Sequence, residues 1–219
     1  MGKKIKVSIL ICSFSKSEYL SKTLSSIVNT IPRDKFDIEM LIDSEAEKTG
    51  LANTTHRYMK LYAKSTGGII VKSDDDVCYY PGWFEQCLKA VTEDNKIGYI
   101  SPISHEMMKR IGVRHACDKK IPIEPNGKYA YEHIASGMCW VFTRRLWEIV
   151  PYSLVPTWQI DRNYSKLVLS KGLRIAALQG ALISHLGQKR WKGIVTDCPG
   201  KPPSQNFRKN NPHINYRVF

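Results

Sequence analysis

Residues 68–77 read Gly68-Ile69-Ile70-Val71-Lys72-Ser73-Asp74-Asp75-Asp76-Val77, an apolar run that ends in three consecutive carboxylates. The β-branched half has the composition of a buried strand. Carboxylates this close repel one another and lose hydration on burial, so the arrangement calls for a positive partner. Hard oxygen ligands suit Mg2+ or Mn2+, and such an ion bound to a diphosphate would supply the charge. The alternative is a polar loop whose aspartates cap the next helix, since Pro81-Gly82 and the spacing Phe84, Leu88, Val91 follow directly.

Working outward, Val7 to Cys12 is nearly continuous in apolar residues and predicts a buried parallel strand. Ser17-Glu18 opens a helix with Leu20, Leu24, Ile27 and Val28 on one face, ended by the stretch Asn29 to Pro32. Phe36 to Ile42 predicts a second strand, ending at Asp43-Ser44, and residues 52–65 a second helix. The strand 69–73 then delivers the aspartates, a further helix follows, and Ile97 to Ile100 is another strand. This βαβαβ order predicts a doubly wound sheet with sites at the carboxyl ends of its strands. Ser13, Asp43 and Asp74 to Asp76 should therefore share one edge. Neither the Gly-rich dinucleotide fingerprint nor the P-loop pattern is present, so phosphates would need another anchor.

The second half is less regular. Residues 103–133, with His105, His115 and His133, read as a long loop or lid. Ser136-Gly137 precedes a strand over Met138 to Phe142, and a helix spans about 161–171 with Gly172 as its cap. Short strands over 173–178 and 181–183 end at Ser184-His185. From residue 188 the chain reads as an extended basic tail, with Lys189, Arg190, Lys192, Lys201, Arg208, Lys209 and Arg217 against Asp197 and several prolines. The expected division is one domain over 1–187, its halves meeting near residue 100, followed by the tail at 188–219.

The chain has 219 residues, 42% hydrophobic and 24% charged, enough for one well-cored α/β domain. No apolar run approaches the roughly 20 residues of a membrane helix. Val7 to Cys12 is too brief for a signal core, so a cytoplasmic protein is expected. Cysteines 12, 78, 87, 117, 139 and 198 form no CxxC pair and read as buried free thiols. The net charge of +13 implies attraction to a polyanion: nucleic acid, an anionic membrane face or an acidic glycan.

The chain resembles the GT-A-fold glycosyltransferases, specifically the large inverting family 2 type, over about residues 5–187. The opening VSILICSFSKSEYLSKTLSSIV is similar to that family's first strand and helix. Gly50, Ala52 and Asn53 resemble its glycine-alanine-asparagine stretch, and GGIIVKSDDDV its DxD strand. ASGMCWVFTRR looks like its acceptor-side strand, IDRNYSKLVLSKGLRI its "EDxD" helix, and HLG its late histidine. Two acidic positions of that helix are Ile160 and Asn163 here, so Asp161 alone remains.

The resemblance implies a single α/β domain with a mainly parallel central sheet flanked by helices. It implies a nucleoside-diphosphate sugar donor, with uridine the expected base, and Mn2+ or Mg2+ as cofactor. Ser13 and Phe14 would touch base and ribose, Asp43 would hold the base edge, and Asn53 and Lys72 would assist. Asp74 would meet the ribose or join the metal site through a bound water, Asp75 the sugar, Asp76 the metal, and His185 the metal or the pyrophosphate. Asp161 would be the base that inversion requires, an N-cap being its plainer role. Ser136, Gly137, Trp158 and Trp191 would line the acceptor side, whereas Trp83 and Trp140 read as core. The acceptor is expected to be a glycan or lipid-linked saccharide, with peripheral membrane attachment an option. A hydroxylated DNA base is the second choice. A nucleotidyltransferase and a non-enzymatic nucleic-acid-binding protein are the rivals.

Overall fold

The structure, a computed structural model, describes residues 4–13, 17–44, 54–104, 129–132, 136–154, 160–186 and 215–218. Strand β1 (Ile5–Cys12) is followed by helix α1 (Ser17–Thr30) and β2 (Phe36–Asp43). Then come α2 (Thr54–Lys64), β3 (Ile69–Asp74), β4 (Val77–Tyr79), α3 (Trp83–Glu93) and β5 (Ile97–Ser104). The second half contributes β6 (Tyr129–Glu132), β7 (Cys139–Thr143), α4 (Arg145–Ile149), a 3-10 turn (Tyr152–Leu154), α5 (Ile160–Ser170), β8 (Arg174–His185) and β9 (Asn215–Val218). One mixed sheet runs β4-β8-β5-β7-β3-β1-β2-β9, with β6 paired to β8 off that path.

Alternation along the buried strands divides the core between the two faces. Val7, Ile9 and Ile11 of β1 pack with Ile27 and Val28 of α1 and with Trp83 and Phe84 of α3. Leu10 and Cys12 face the other way, onto Tyr58 and Leu61 of α2 and Tyr164 and Val168 of α5. That second layer is aromatic: Trp140 stacks on Tyr164 and Trp147 on Tyr152, at centroid distances of 5.3 and 5.2 Å. Trp83 and Trp140 are fully buried, as expected of core residues. Left-handed glycines punctuate two helices: Gly82 (φ 86°) before α3 and Gly172 (φ 74°) after α5.

Parallel pairing sets the edge that matters. Cys12 lies opposite Asp43 on one side and Asp74 on the other, so β1, β2 and β3 end together. β7 runs antiparallel to β3 with Cys139 opposite Ser73, which brings its amino end to that same edge. β8 runs parallel to β5 and returns antiparallel along β4, placing His185 opposite Val77.

Four readings change. Tyr129–Glu132, inside the segment read as a loop or lid, is a strand paired with β8. Four residues are too few for a legible alternation. Asn215–Val218, inside the segment read as a tail, adds to β2 as a parallel edge strand, against the expectation set by nearby prolines and basic residues. The two short strands expected over 173–183 are one, because the backbone continues through Gln179-Gly180. Finally, Cys12, Cys87 and Cys139 are buried free thiols, but Cys78 is disulfide-bonded; isolated cysteines without local spacing carry no pairing signal.

Candidate active site at the strand ends

The β3–β4 turn that carries the aspartates is built from α1 as much as from the strands. Thr23 of α1 donates its hydroxyl to the Asp75 carbonyl (2.8 Å) and accepts the Val77 N–H (3.0 Å), clamping both sides of the turn. Ser13, at the end of β1, takes its N–H to the Asp43 carbonyl (2.8 Å) and donates its hydroxyl to the Asp75 carboxylate (3.1 Å). Asp75 is buried beneath the edge. The carboxylates of Asp74 and Asp76 are more exposed than that of Asp75 and flank it.

Asp76 meets His185: the carboxylate Oδ2 and imidazole Nε2 are 3.2 Å apart, and the Leu186 N–H donates to the Asp76 carbonyl at 2.6 Å. At the other end of the row, Arg57 of α2 lies 3.6 Å from the Asp43 carboxylate. Arg57 was not anticipated. Its spacing to Leu61 on the buried stripe of α2 was the available signal.

On the β7 side, the Met138 carbonyl accepts the Asp74 N–H at 2.8 Å. The Ser136 carbonyl accepts both the Trp140 indole N–H (2.6 Å) and the Ser101 hydroxyl (3.0 Å). Asp161 enters from the first turn of α5, and its carboxylate accepts the Gly137 N–H. A β-carbon on Gly137 would overlap that carboxylate, so only glycine allows the approach. Lys72, two residues before Asp74 on β3, is buried and reaches the Asp74 carboxylate (3.1 Å) and the Gly137 carbonyl.

The charges shape one another. Desolvation by its neighbours raises the Asp74 carboxyl above its ordinary value; Lys72 opposes the shift, and the charges of Asp76 and Asp161 add to it. The 39% of the side chain left exposed moderates the effect. Burial likewise raises Asp161, against the pull of Lys72 and the Gly137 N–H. Burial alone would lower Lys72, but Asp74 and Asp161 outweigh it and raise the ammonium above the ordinary lysine value. Around Lys72 the edge therefore gathers excess negative charge.

No protein-family model matches the chain, and no curated sequence does either. Among solved structures it is similar to the mannosyltransferase PcManGT from Pyrobaculum calidifontis in complex with GDP-Man and Mn2+. The TM-score is 0.56 at 16% identity, over 86% of this chain and 59% of that one. It is also similar to GalNAc-T7 with UDP, GalNAc and Mn2+, with a TM-score of 0.60 at 11% identity, over 95% of this chain and 48% of that one. The chain has the GT-A fold. It spans about half to three-fifths of each neighbour's length.

Within this GT-A fold, Ser13, Asp43, Lys72, Asp74, Asp75, Asp76, Ser136, Gly137, Asp161 and His185 all come to the carboxyl edge of β1–β3 or directly beneath it. Ser13, Lys72 and Asp75 are enclosed by neighbours. Phe14, Asn53, Trp158 and Trp191 lie outside the described residues.

Proposed function

We propose that the chain is a metal-dependent inverting glycosyltransferase that moves a sugar from a nucleoside-diphosphate sugar to an acceptor hydroxyl. The observation that carries this reading is the pairing of Asp76 with His185 on the same edge as Asp43, Asp74 and Asp161. Among the described residues no group of three His, Cys, Asp or Glu side chains is arranged to enclose a metal by itself. An oxygen and a nitrogen donor side by side, with Asp74 beside them, fit an ion whose remaining ligands come from a diphosphate. The mixed donor set favours Mn2+ over Mg2+. When bound, the ion would neutralise charge on the departing diphosphate.

The rest falls to the chain. Asp43, steadied by Arg57, suits the base edge of a nucleotide, and a uridine donor is the first choice. Asp161 takes the proton of the acceptor hydroxyl as that oxygen attacks the anomeric carbon. Its carboxylate is oriented by the Gly137 N–H, and its raised pKa makes it a stronger base than an exposed aspartate. The acceptor in this reading is a glycan or lipid-linked saccharide, handled at the cytoplasmic face of a membrane. Among the described residues no helix is long and apolar enough to cross one. The charge of +13 favours, as a second reading, transfer to a hydroxylated base in DNA.

A thermal-shift series of nucleoside diphosphates and nucleotide sugars, each with and without Mn2+, tests the proposal. A metal-dependent rise confined to one nucleotide, and lost in Asp76→Ala, is expected. No shift with any nucleotide, beside stabilisation by duplex DNA at low salt, would leave a nucleic-acid-binding protein instead.

A further inference from the structure

We propose that Lys72 is a positioning residue that ties the donor-side carboxylate Asp74 to the acceptor-side carboxylate Asp161 through the backbone of Gly137. The role rests on the glycosyltransferase reading and assigns work inside that site.

Lys72 is poorly placed to hold a phosphate. Its side chain is only 4% exposed, whereas that of Asp74 is 39% exposed. The ammonium lies 4.9 Å from the centre of the Tyr58 ring and 5.0 Å from that of Trp140, and the two rings cover it. Its hydrogen bonds go to the Asp74 carboxylate and to the Gly137 carbonyl. The N–H of the same glycine donates to Asp161. Gly137 is thus gripped on one side by the lysine and on the other by the base.

The neighbouring backbone is held too. The Ser136 carbonyl is taken by Trp140 and Ser101, and the Met138 carbonyl by the Asp74 N–H. Lys72 is the charged member of this set, and it attracts both Asp74 and Asp161, which repel one another. Removing its charge releases that repulsion at the place where the base must be aimed. Misplacement of a catalytic group by about 1 Å is enough to cost about 100-fold in turnover.

The experiment combines turnover with a direct view of Gly137. Lys72→Met fills the space between the rings without donating a hydrogen bond, and Lys72→Gln serves if Met impairs folding. With 15N-glycine labelling, the Gly137 amide is identified among 14 glycines by its loss in Gly137→Ala. In the expected result, Lys72→Met keeps the Mn2+-dependent stabilisation by nucleoside diphosphate and a donor KM within about threefold, while kcat falls about 100-fold. The Gly137 amide moves in Lys72→Met. Adding Gly137→Ala to Lys72→Met then costs much less than Gly137→Ala alone.

A raised donor KM with unchanged kcat would overturn the proposal and make Lys72 a donor ligand. An unshifted Gly137 amide beside intact donor binding would overturn this role alone. A wild-type protein that binds no nucleoside diphosphate would overturn the glycosyltransferase reading and this role together.

Discussion

Asp161 is held in the first turn of α5 with its carboxylate against the Gly137 N–H, and burial raises its pKa above the ordinary aspartate value of 3.8. In its proposed role as base Asp161 must be ionised, so turnover should be lost as pH falls through that raised value, earlier than for an exposed aspartate. The acid limb of a kcat–pH profile is therefore expected above 3.8. Asp161→Asn keeps the shape and the Gly137 contact but cannot take a proton. It should lower kcat by about 10²–10⁴-fold while leaving the nucleotide-induced thermal shift intact. Full activity in that variant would remove Asp161 from the chemistry. Asp161 itself was legible through the motif around it. Its partner was not, because the Gly137 contact joins β7 to α5 and depends on a close approach that no local pattern encodes. The buried placements of Lys72 and Asp75 were equally hidden, since a charged side chain in sequence does not say whether it faces the ligand or its neighbours.

At the scale of elements, the longer strands and the helices were legible in both halves, and the short pairings were not. β1, β2 and β3 announce themselves as apolar runs ending in polar residues, and their common edge follows from parallel order. The short strands β4, β6 and β9 carry too few residues for a period, and their pairing is decided by what lies beside them. Glu39 is a second element-scale feature that the pattern conceals. It sits on β2 in an otherwise apolar stretch, only 3% exposed. One carboxylate oxygen accepts the Ser8 hydroxyl of β1, the Thr66 N–H and hydroxyl (2.9 Å) and the Gly67 N–H (3.2 Å), joining β2 to β1 and to the entry of β3. Burial alone would raise its pKa, but these donors outweigh burial and hold it below the usual glutamate value. A carboxyl whose folded pKa is depressed adds stability above its unfolded value and loses it as pH falls through the folded one. Glu39→Gln should therefore cost about 2 kcal/mol at pH 7. The gap to wild type should narrow once pH is taken below the ordinary glutamate value of 4.5 and toward the lower folded one. Urea unfolding at both pH values checks this; a gap independent of pH would mean that shape, not charge, holds the junction.

Over the whole molecule the charge is the feature left unused by the donor edge. Net charge is +13, yet the edge where the diphosphate is proposed to bind is itself acidic. Residues 188–214 alone hold Lys189, Arg190, Lys192, Lys201, Arg208 and Lys209 against Asp197, so the excess is concentrated along part of the chain rather than spread evenly. Such a surplus acts over a distance of about 8–10 Å at moderate salt and favours polyanions without specifying one. An anionic membrane face would contribute about 1 kcal/mol for each basic residue held near it. Duplex DNA would instead give a log-log salt dependence with a slope of about −0.9 for each phosphate neutralised. Co-sedimentation with phosphatidylserine vesicles, compared with phosphatidylcholine vesicles and with duplex DNA over a salt series, separates the two. For a lipid-linked acceptor, binding should require phosphatidylserine and exceed DNA binding at equal salt, and donor turnover should rise when anionic vesicles are present. DNA binding that dominates at every salt concentration would move the acceptor to the nucleic acid. Binding to neither would reduce the charge to a means of keeping the protein in solution.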